Sequence, residues 1–166
     1  PTWIEPYEWL ANKDNFPLHL ISNQPEYRLH GQLDHADYSL KNKIKDREPV
    51  LINSADAKER NIENNDIVLI FNKRGRVFAG ARLSDEVSKG VIVLSTGAWF
   101  DPDYEINADL HGNPNVLTKD IGTSLLSQGP TSHTCLVEIR KAEKNEIKKV
   151  TIFSKPHIQK KLEEKY

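Results

Sequence analysis

The chain has 166 residues, 37% of them hydrophobic and 28% charged, enough for one domain with a substantial core. Its 23 Lys and Arg against 24 Asp and Glu leave a formal net charge of −1, a poor match to a nucleic-acid backbone, which needs a concentrated basic face. No apolar run approaches the roughly 18 residues of a membrane-spanning helix, and no signal peptide is recognisable.

Residues 1–16 carry Trp3, Pro6, Tyr7 and Trp9 and read as a lead-in segment that packs on something. Phe16 to Ile21 is a first strand. Gln24 to Ser39 is polar and lacks a period of 2 or 3.6, which predicts a long functional loop with one helical turn. Pro49 to Ile52 is a strand. Asn53, with Asp56 at the third position, then caps a short helix that runs to about Arg60 and ends on a left-handed Asn61. Asp66–Phe71 and Arg76–Leu83 flank Asn72-Lys-Arg-Gly75, a type I turn with a left-handed glycine, and so form a hairpin. Val77, Ala79, Ala81 and Leu83 alternate onto one face of its second strand. Val91–Leu94, Leu136–Ile139 and Val150–Phe153 complete the strands. Short strands at regular spacing, with few helices and long polar loops, predict a mainly β fold, a β-barrel with short helices. The barrel occupies 17–154, and 155–166 is a charged C-terminal tail.

The single cysteine, Cys135, cannot form an intramolecular disulfide, and its neighbours Leu136, Val137 and Ile139 point to a buried structural thiol. The chain has no methionine, which either removal of an initiator before Pro1 or a cut from a longer polypeptide would explain.

The loops carry the chemistry. The segment 20–30 places Ser22, Asn23, Gln24 and Arg28 at a strand end, either an anion or nucleobase site or an ordinary surface loop with an ion pair. The segment 95–102 holds Thr96, Gly97, Trp99 and Asp101, where a carboxylate that accepts two N–H bonds would read a guanine edge and Trp99 would form a wall; an Asp-Pro turn beside a hydrophobic plug is the alternative. The segment 111–130 is rich in glycine, proline and asparagine, a composition that brings backbone N–H groups close to a polar ligand. Six histidines show no HxH or HExxH spacing, and His30 and His35 are the nearest pair. Neither GxSxG nor a GxxxxGK[ST] phosphate loop occurs. Asp101, Asp103 and Asp109 crowd one loop, and a small hydrolase built on Asp101, Asp103 and His111 is the enzymatic alternative.

A set of motifs stands in colinear order over about residues 1–140: Phe16–Ser22, Gln24-Pro25, Arg28-Leu-His30 with Gln32, Arg47-Glu-Pro49, Ile52-Asn53, Ala55-Asp-Ala57, Phe71-Asn72 with Arg74-Gly75, Thr96–Trp99 with Asp101-Pro102, His111–Thr118 with Asp120, Gly122–Ser124 and Gln128–Pro130. Together they resemble the C-terminal molybdopterin-dinucleotide-binding domain of the dimethyl sulfoxide, trimethylamine N-oxide and biotin sulfoxide reductases. The resemblance implies a double-psi β-barrel-like domain that covers one side of a cofactor, bis(molybdopterin guanine dinucleotide) with molybdenum, carried by the full-length enzyme. It implies candidate cofactor contacts at Ser22, Gln24, Arg28, His30, Gln32, Asn72, Thr96, Trp99, Asp101, His111, Asn113, Asn115 and Gln128. Chemistry suggests guanine for Asp101 and pterin for His111–Asn115. The sequence departs from the family at His30-Gly31-Gln32, where a serine is expected in the middle.

The family's metal-ligand serine and substrate funnel lie in earlier domains, so this chain alone is expected to be inactive and to have the remaining domains of its polypeptide as partners. No nucleic-acid partner and no membrane span are expected, and the electron donor is expected to contact other domains. The bacterial periplasm is the expected compartment, with the cytoplasm as the alternative. A free-standing barrel that binds a protein or peptide, without redox role, is the competing reading.

Overall fold

In a computed structural model, residues 1–12 and 15–154 are described; the charged tail 155–166 falls outside the described residues. Runs of β-branched and aliphatic residues build the frame. The strands are β1 (Leu18–Ile21), β2 (Pro49–Ile52), β3 (Ile67–Phe71), β4 (Arg76–Leu83), β5 (Val91–Leu94), β6 (Pro102–Asp103), β7 (Ala108–Asp109) and β8 (Leu136–Lys141). Two short helices, α1 (Asp37–Leu40) and α2 (Ser54–Glu59), interrupt them. Six strands close on themselves in the order β2-β5-β1-β8-β3-β4, with β4 pairing back to β2. The β1–β5 and β2–β4 pairs are parallel and the other four antiparallel. This is the double-psi β-barrel-like domain expected from the sequence. The two-residue strands β7 and β6 extend β4 outward as a small ribbon.

Alternation assigns the two faces of each strand. In β3, Val68 and Ile70 enter the barrel beside Leu20, Val50, Ile52, Ala79, Ala81, Ile92 and Val137. Ile67 and Leu69 face outward, where they meet Phe78, Ala108, Leu110, Ala142 and Val150 in a second cluster. The β3–β4 hairpin is thus apolar on both faces. Each of its fully buried aliphatic side chains contributes about 1.5–3 kcal/mol. Val77, Ala79 and Ala81 share the interior face, with Leu83 packed at its margin. Cys135 is buried in the same interior, and its Sγ lies 3.3 Å from the Leu117 carbonyl. Burial pushes its thiol up, as expected of a structural cysteine.

Three local expectations are corrected. Val150–Phe153 is not a strand but an extended run and turn, because the Asp101 carboxylate takes the N–H groups of Thr151 and Ile152 that a ladder would use. Gly75 is not left-handed; the glycine is required because a Cβ there would collide with the Val116 carbonyl. Asn53 caps α2 by accepting from Ala55 N at 2.9 Å, while the Asp56 carboxylate turns away to Gly90 N at 2.6 Å. Asn61 does end the helix in the left-handed region, at φ 53°.

Candidate functional site: a groove among three loops

Parallel pairing gathers the loops. Because β1 and β5 run side by side in the same direction, the chain leaves both at one end of the barrel. There Thr96 N donates to Asn23 O at 2.9 Å, and Ser95 Oγ lies 3.0 Å from Asn23 Oδ1. The third loop follows β7, which lies parallel to β4 and delivers His111 to the start of β2, where Glu48 N donates to His111 O. Asp109 ties this loop to its neighbour. Its Oδ2 accepts from Asp101 N at 2.7 Å, and its Oδ1 accepts from the N–H groups of His111, Gly112 and Asn113 at 3.1, 2.7 and 2.9 Å. Burial pushes the Asp109 carboxyl up, against the pull of these four N–H bonds.

Between the loops lies an open groove of about 580 Å³. It is lined by His30 and Gly31, by Thr96, Gly97 and Ala98, by the aromatic rings of Trp99 and Phe100, by Asn113 and Asn115, and by Ile152. Trp99 is fixed by its Nε1–H to Gly31 O at 2.6 Å and by an edge contact with His35, centroids 4.2 Å apart.

Beneath the groove is a sealed network of charges. Arg28 donates from Nη1 to Glu48 Oε2 at 3.0 Å and from Nη2 to Thr96 O at 2.7 Å. Lys43 Nζ donates to Asp34 Oδ1 at 2.6 Å and Glu48 Oε2 at 2.8 Å, and Tyr27 OH donates to Glu48 Oε1 at 2.6 Å. Asp34 Oδ2 accepts from Trp99 N at 3.0 Å and lies 2.9 Å from His111 Nε2. His111 Nδ1 sits 2.9 Å from Asp46 O, and since a carbonyl only accepts, Nδ1 carries a proton. Arg28 and Lys43 are each paired with the Asp34 and Glu48 carboxylates, and such burial is tolerated because the charges are paired and hydrogen-bonded. Burial would push Asp34 up, but His111, Lys43 and the Trp99 N–H hold it well below the usual carboxylate range. Tyr27 is pushed up, first by burial and then by Glu48.

Five of the residues expected from sequence, His30, Thr96, Trp99, Asn113 and Asn115, therefore meet at one groove. The others are placed elsewhere. Arg28 and His111 belong to the buried network. Asp101 is buried, its carboxylate occupied by Thr151 N at 2.6 Å, Ile152 N at 3.3 Å and Thr151 Oγ1. Gln24 Nε2 donates to Arg28 O at 2.6 Å, Ser22 ends β1 half-buried, and Gln32 is exposed. Asn72 pins the β3–β4 turn by donating to Leu117 O at 2.9 Å and Leu136 O at 3.2 Å. Gln128 lies on an exposed loop and donates to Ser124 O at 2.8 Å. His30 and His35 do not converge on a third metal-type ligand among the described residues.

Sequence reasoning missed Phe100 and Ile152 in the groove, and Asp34 and Lys43 below it. Phe100 had a signal, an aromatic beside Trp99 in an otherwise polar loop. Asp34 and Lys43 had none, since a charged residue in a polar stretch carries no mark of burial; it is folding that seals them with Glu48, Trp99 and His111.

The fold and the groove define a closed double-psi-like barrel with a polar, partly aromatic groove among the loops at one end. Residues 18–136 match the Molydopterin dinucleotide binding domain, and the chain belongs to that family. It is 48% identical over 139 residues to the biotin sulfoxide reductase of Cereibacter sphaeroides, covering 84% of this chain and 19% of that protein. It is 44% identical over 161 residues to the trimethylamine-N-oxide reductase of Haemophilus influenzae, covering 94% and 19%. A dimethyl sulfoxide/trimethylamine N-oxide reductase of Cereibacter sphaeroides is 39% identical over 160 residues, again covering 94% and 19%. The chain thus spans about 19% of the length of these relatives. Acetylene hydratase from Pelobacter acetylenicus shares the fold, with a TM-score of 0.69 at 15% identity over 86% of this chain and 21% of that one.

Proposed function

We propose that this chain is the cofactor-binding domain of a molybdenum reductase acting on an S- or N-oxide, and that its groove holds part of a molybdopterin guanine dinucleotide and shields it from water. The convergence of His30, Thr96, Trp99, Asn113 and Asn115 from three separate loops carries this reading. The donor set fits a fused heterocycle with a hydrogen-bonding edge. Asn113 and Asn115 amides and the Thr96 hydroxyl can pair such an edge, and Trp99 and Phe100 can cover its faces. Gly31 and Gly97 let the first two loops pack on one another, since a Cβ at Gly97 would meet the His30 carbonyl and one at Gly31 would press on the Trp99 ring. The cofactor supplies the redox step when bound; this chain orients it and excludes solvent.

Asn115 is exposed, and its side-chain amide makes no hydrogen bond among the described residues. In the full-length enzyme, Asn115→Ala and Thr96→Val each remove one neutral hydrogen bond of about 1 kcal/mol, so the double variant should hold cofactor roughly thirtyfold more weakly. Molybdenum and guanosine monophosphate released per chain measure this, with the melting temperature as the control for folding. Full cofactor content in the double variant would overturn the assignment.

A further inference from the structure

The geometry points to residues 148–153 as a strap that completes the groove, with Ile152 as a ligand-facing wall and Asp101 as the positioning residue that holds the strap in place. The inference rests on the groove being the cofactor site. It assigns Asp101 to the strap, in place of a guanine contact, and adds a binding residue outside the family-matched segment 18–136.

Four observations support it. Ile152 lines the groove together with Trp99 and Asn113 and also packs against the outer cluster, although it lies far along the chain from the other lining residues. Among the described residues the strap has no strand partner to hold it; its anchors are side chains. Arg47 Nη2 donates to Lys148 O at 2.5 Å, and Lys148 Nζ lies 2.9 Å from Asp103 Oδ2 and 2.6 Å from Glu105 Oε2. Val150 is buried against Leu110 and Phe78 in the outer cluster, and the Phe153 ring meets the edges of His35 and His111 at 5.2 and 5.0 Å. Finally, both carboxylate oxygens of Asp101 are engaged by the strap, Oδ2 by two N–H groups and Oδ1 by the Thr151 hydroxyl, and Asp101 is not among the residues that line the groove. A buried carboxylate so engaged cannot also read a nucleobase edge without breaking bonds that hold Thr151 and Ile152.

The test uses the full-length holoenzyme with three substitutions, Ile152→Ala, Asp101→Asn and the two combined. Cofactor loss after dilution is followed by the visible absorption of the bound cofactor, and bound guanosine monophosphate is quantified by acid release. Ile152→Ala should speed cofactor loss about tenfold, as expected for one apolar wall withdrawn. Asp101→Asn should do the same, and the double variant should be no faster than Asp101→Asn alone, because both changes act through one strap. Rapid loss in Asp101→Asn with wild-type retention in Ile152→Ala would mean that Asp101 touches the cofactor directly, and the inference would fall. Additive effects would overturn it too. If Asp101→Asn does not fold, Ile152→Ala against Ile152→Trp decides: equal retention in both, matching wild type, removes Ile152 from the site. A wild-type enzyme without any dinucleotide would bring down the functional reading itself, an outcome distinct from either.

Discussion

Gly97 and Asp34 show how single positions set the groove. Gly97 sits at φ 93°, and a Cβ there would collide with the His30 carbonyl. Gly97→Ala combines a strained backbone with that clash and should cost at least about 2 kcal/mol, read from the urea midpoint. Asp34 acts through charge. Its folded carboxyl titrates well below its usual value of 3.8, so the unfolded chain binds the proton more readily. The stability it contributes is therefore complete above about pH 4 and lost as the pH falls from there toward the folded value. Asp34→Asn should lower stability at neutral pH by several kcal/mol, because Lys43 and Arg28 lose a buried partner. The variant's stability should also fall less steeply than the wild type's between pH 4 and pH 2. Parallel profiles of midpoint against pH for the two proteins would remove Asp34 from this role.

At the scale of elements, legibility followed periodicity. β2 and β5 were readable to the residue because short aliphatic runs between polar turns leave one physical solution. The ribbon β6–β7 was not, since two-residue strands have no period to read. Val150–Phe153 misled for the opposite reason: it has a strand's composition, but its backbone donors are captured by Asp101, some 50 residues away. The site divides in the same way. His30, Thr96, Trp99, Asn113 and Asn115 were legible through their motifs, whereas Arg28, His111 and Asp101 share those motifs yet face inward. A motif marks the loop, and only packing decides which of its side chains face the groove. The β3–β4 turn gives the clearest element-level prediction. Asn72 donates to Leu117 O and Leu136 O and accepts from Arg74 N at 2.9 Å and Gly75 N at 3.3 Å. Asn72→Ala takes a donor from Leu136 O and an acceptor from the Arg74 and Gly75 N–H groups, while Leu117 O keeps Arg74 Nε at 2.6 Å, and should cost about 1–3 kcal/mol, with cofactor content preserved in molecules that remain folded. A cofactor loss larger than the loss of stability would place Asn72 at the ligand.

The whole molecule is a barrel whose six strands pair around a full circuit, so none of them leaves an open edge for another chain. Among the described residues its interior cluster is drawn from its own strands, from Ala57 of α2 and from the loops between. Such closure predicts that residues 1–166 unfold in a single cooperative transition without the rest of a longer polypeptide. What closure does not provide is a polar surface everywhere. Leu125 and Leu126 are 98% and 100% exposed at the tip of the loop 122–130, which is itself held by Thr123 N to Gly129 O and Ser124 N to Ser127 O. Two adjacent leucines fixed in water favour self-association more than they affect folding. Replacing both by serine removes no packing contact from the barrel, so stability should shift by no more than about 0.5 kcal/mol. Light scattering of the isolated domain should then show the monomer persisting to higher concentration. If the serine variant instead loses several kcal/mol, the two leucines are packed in solution, and the loop folds back onto the barrel.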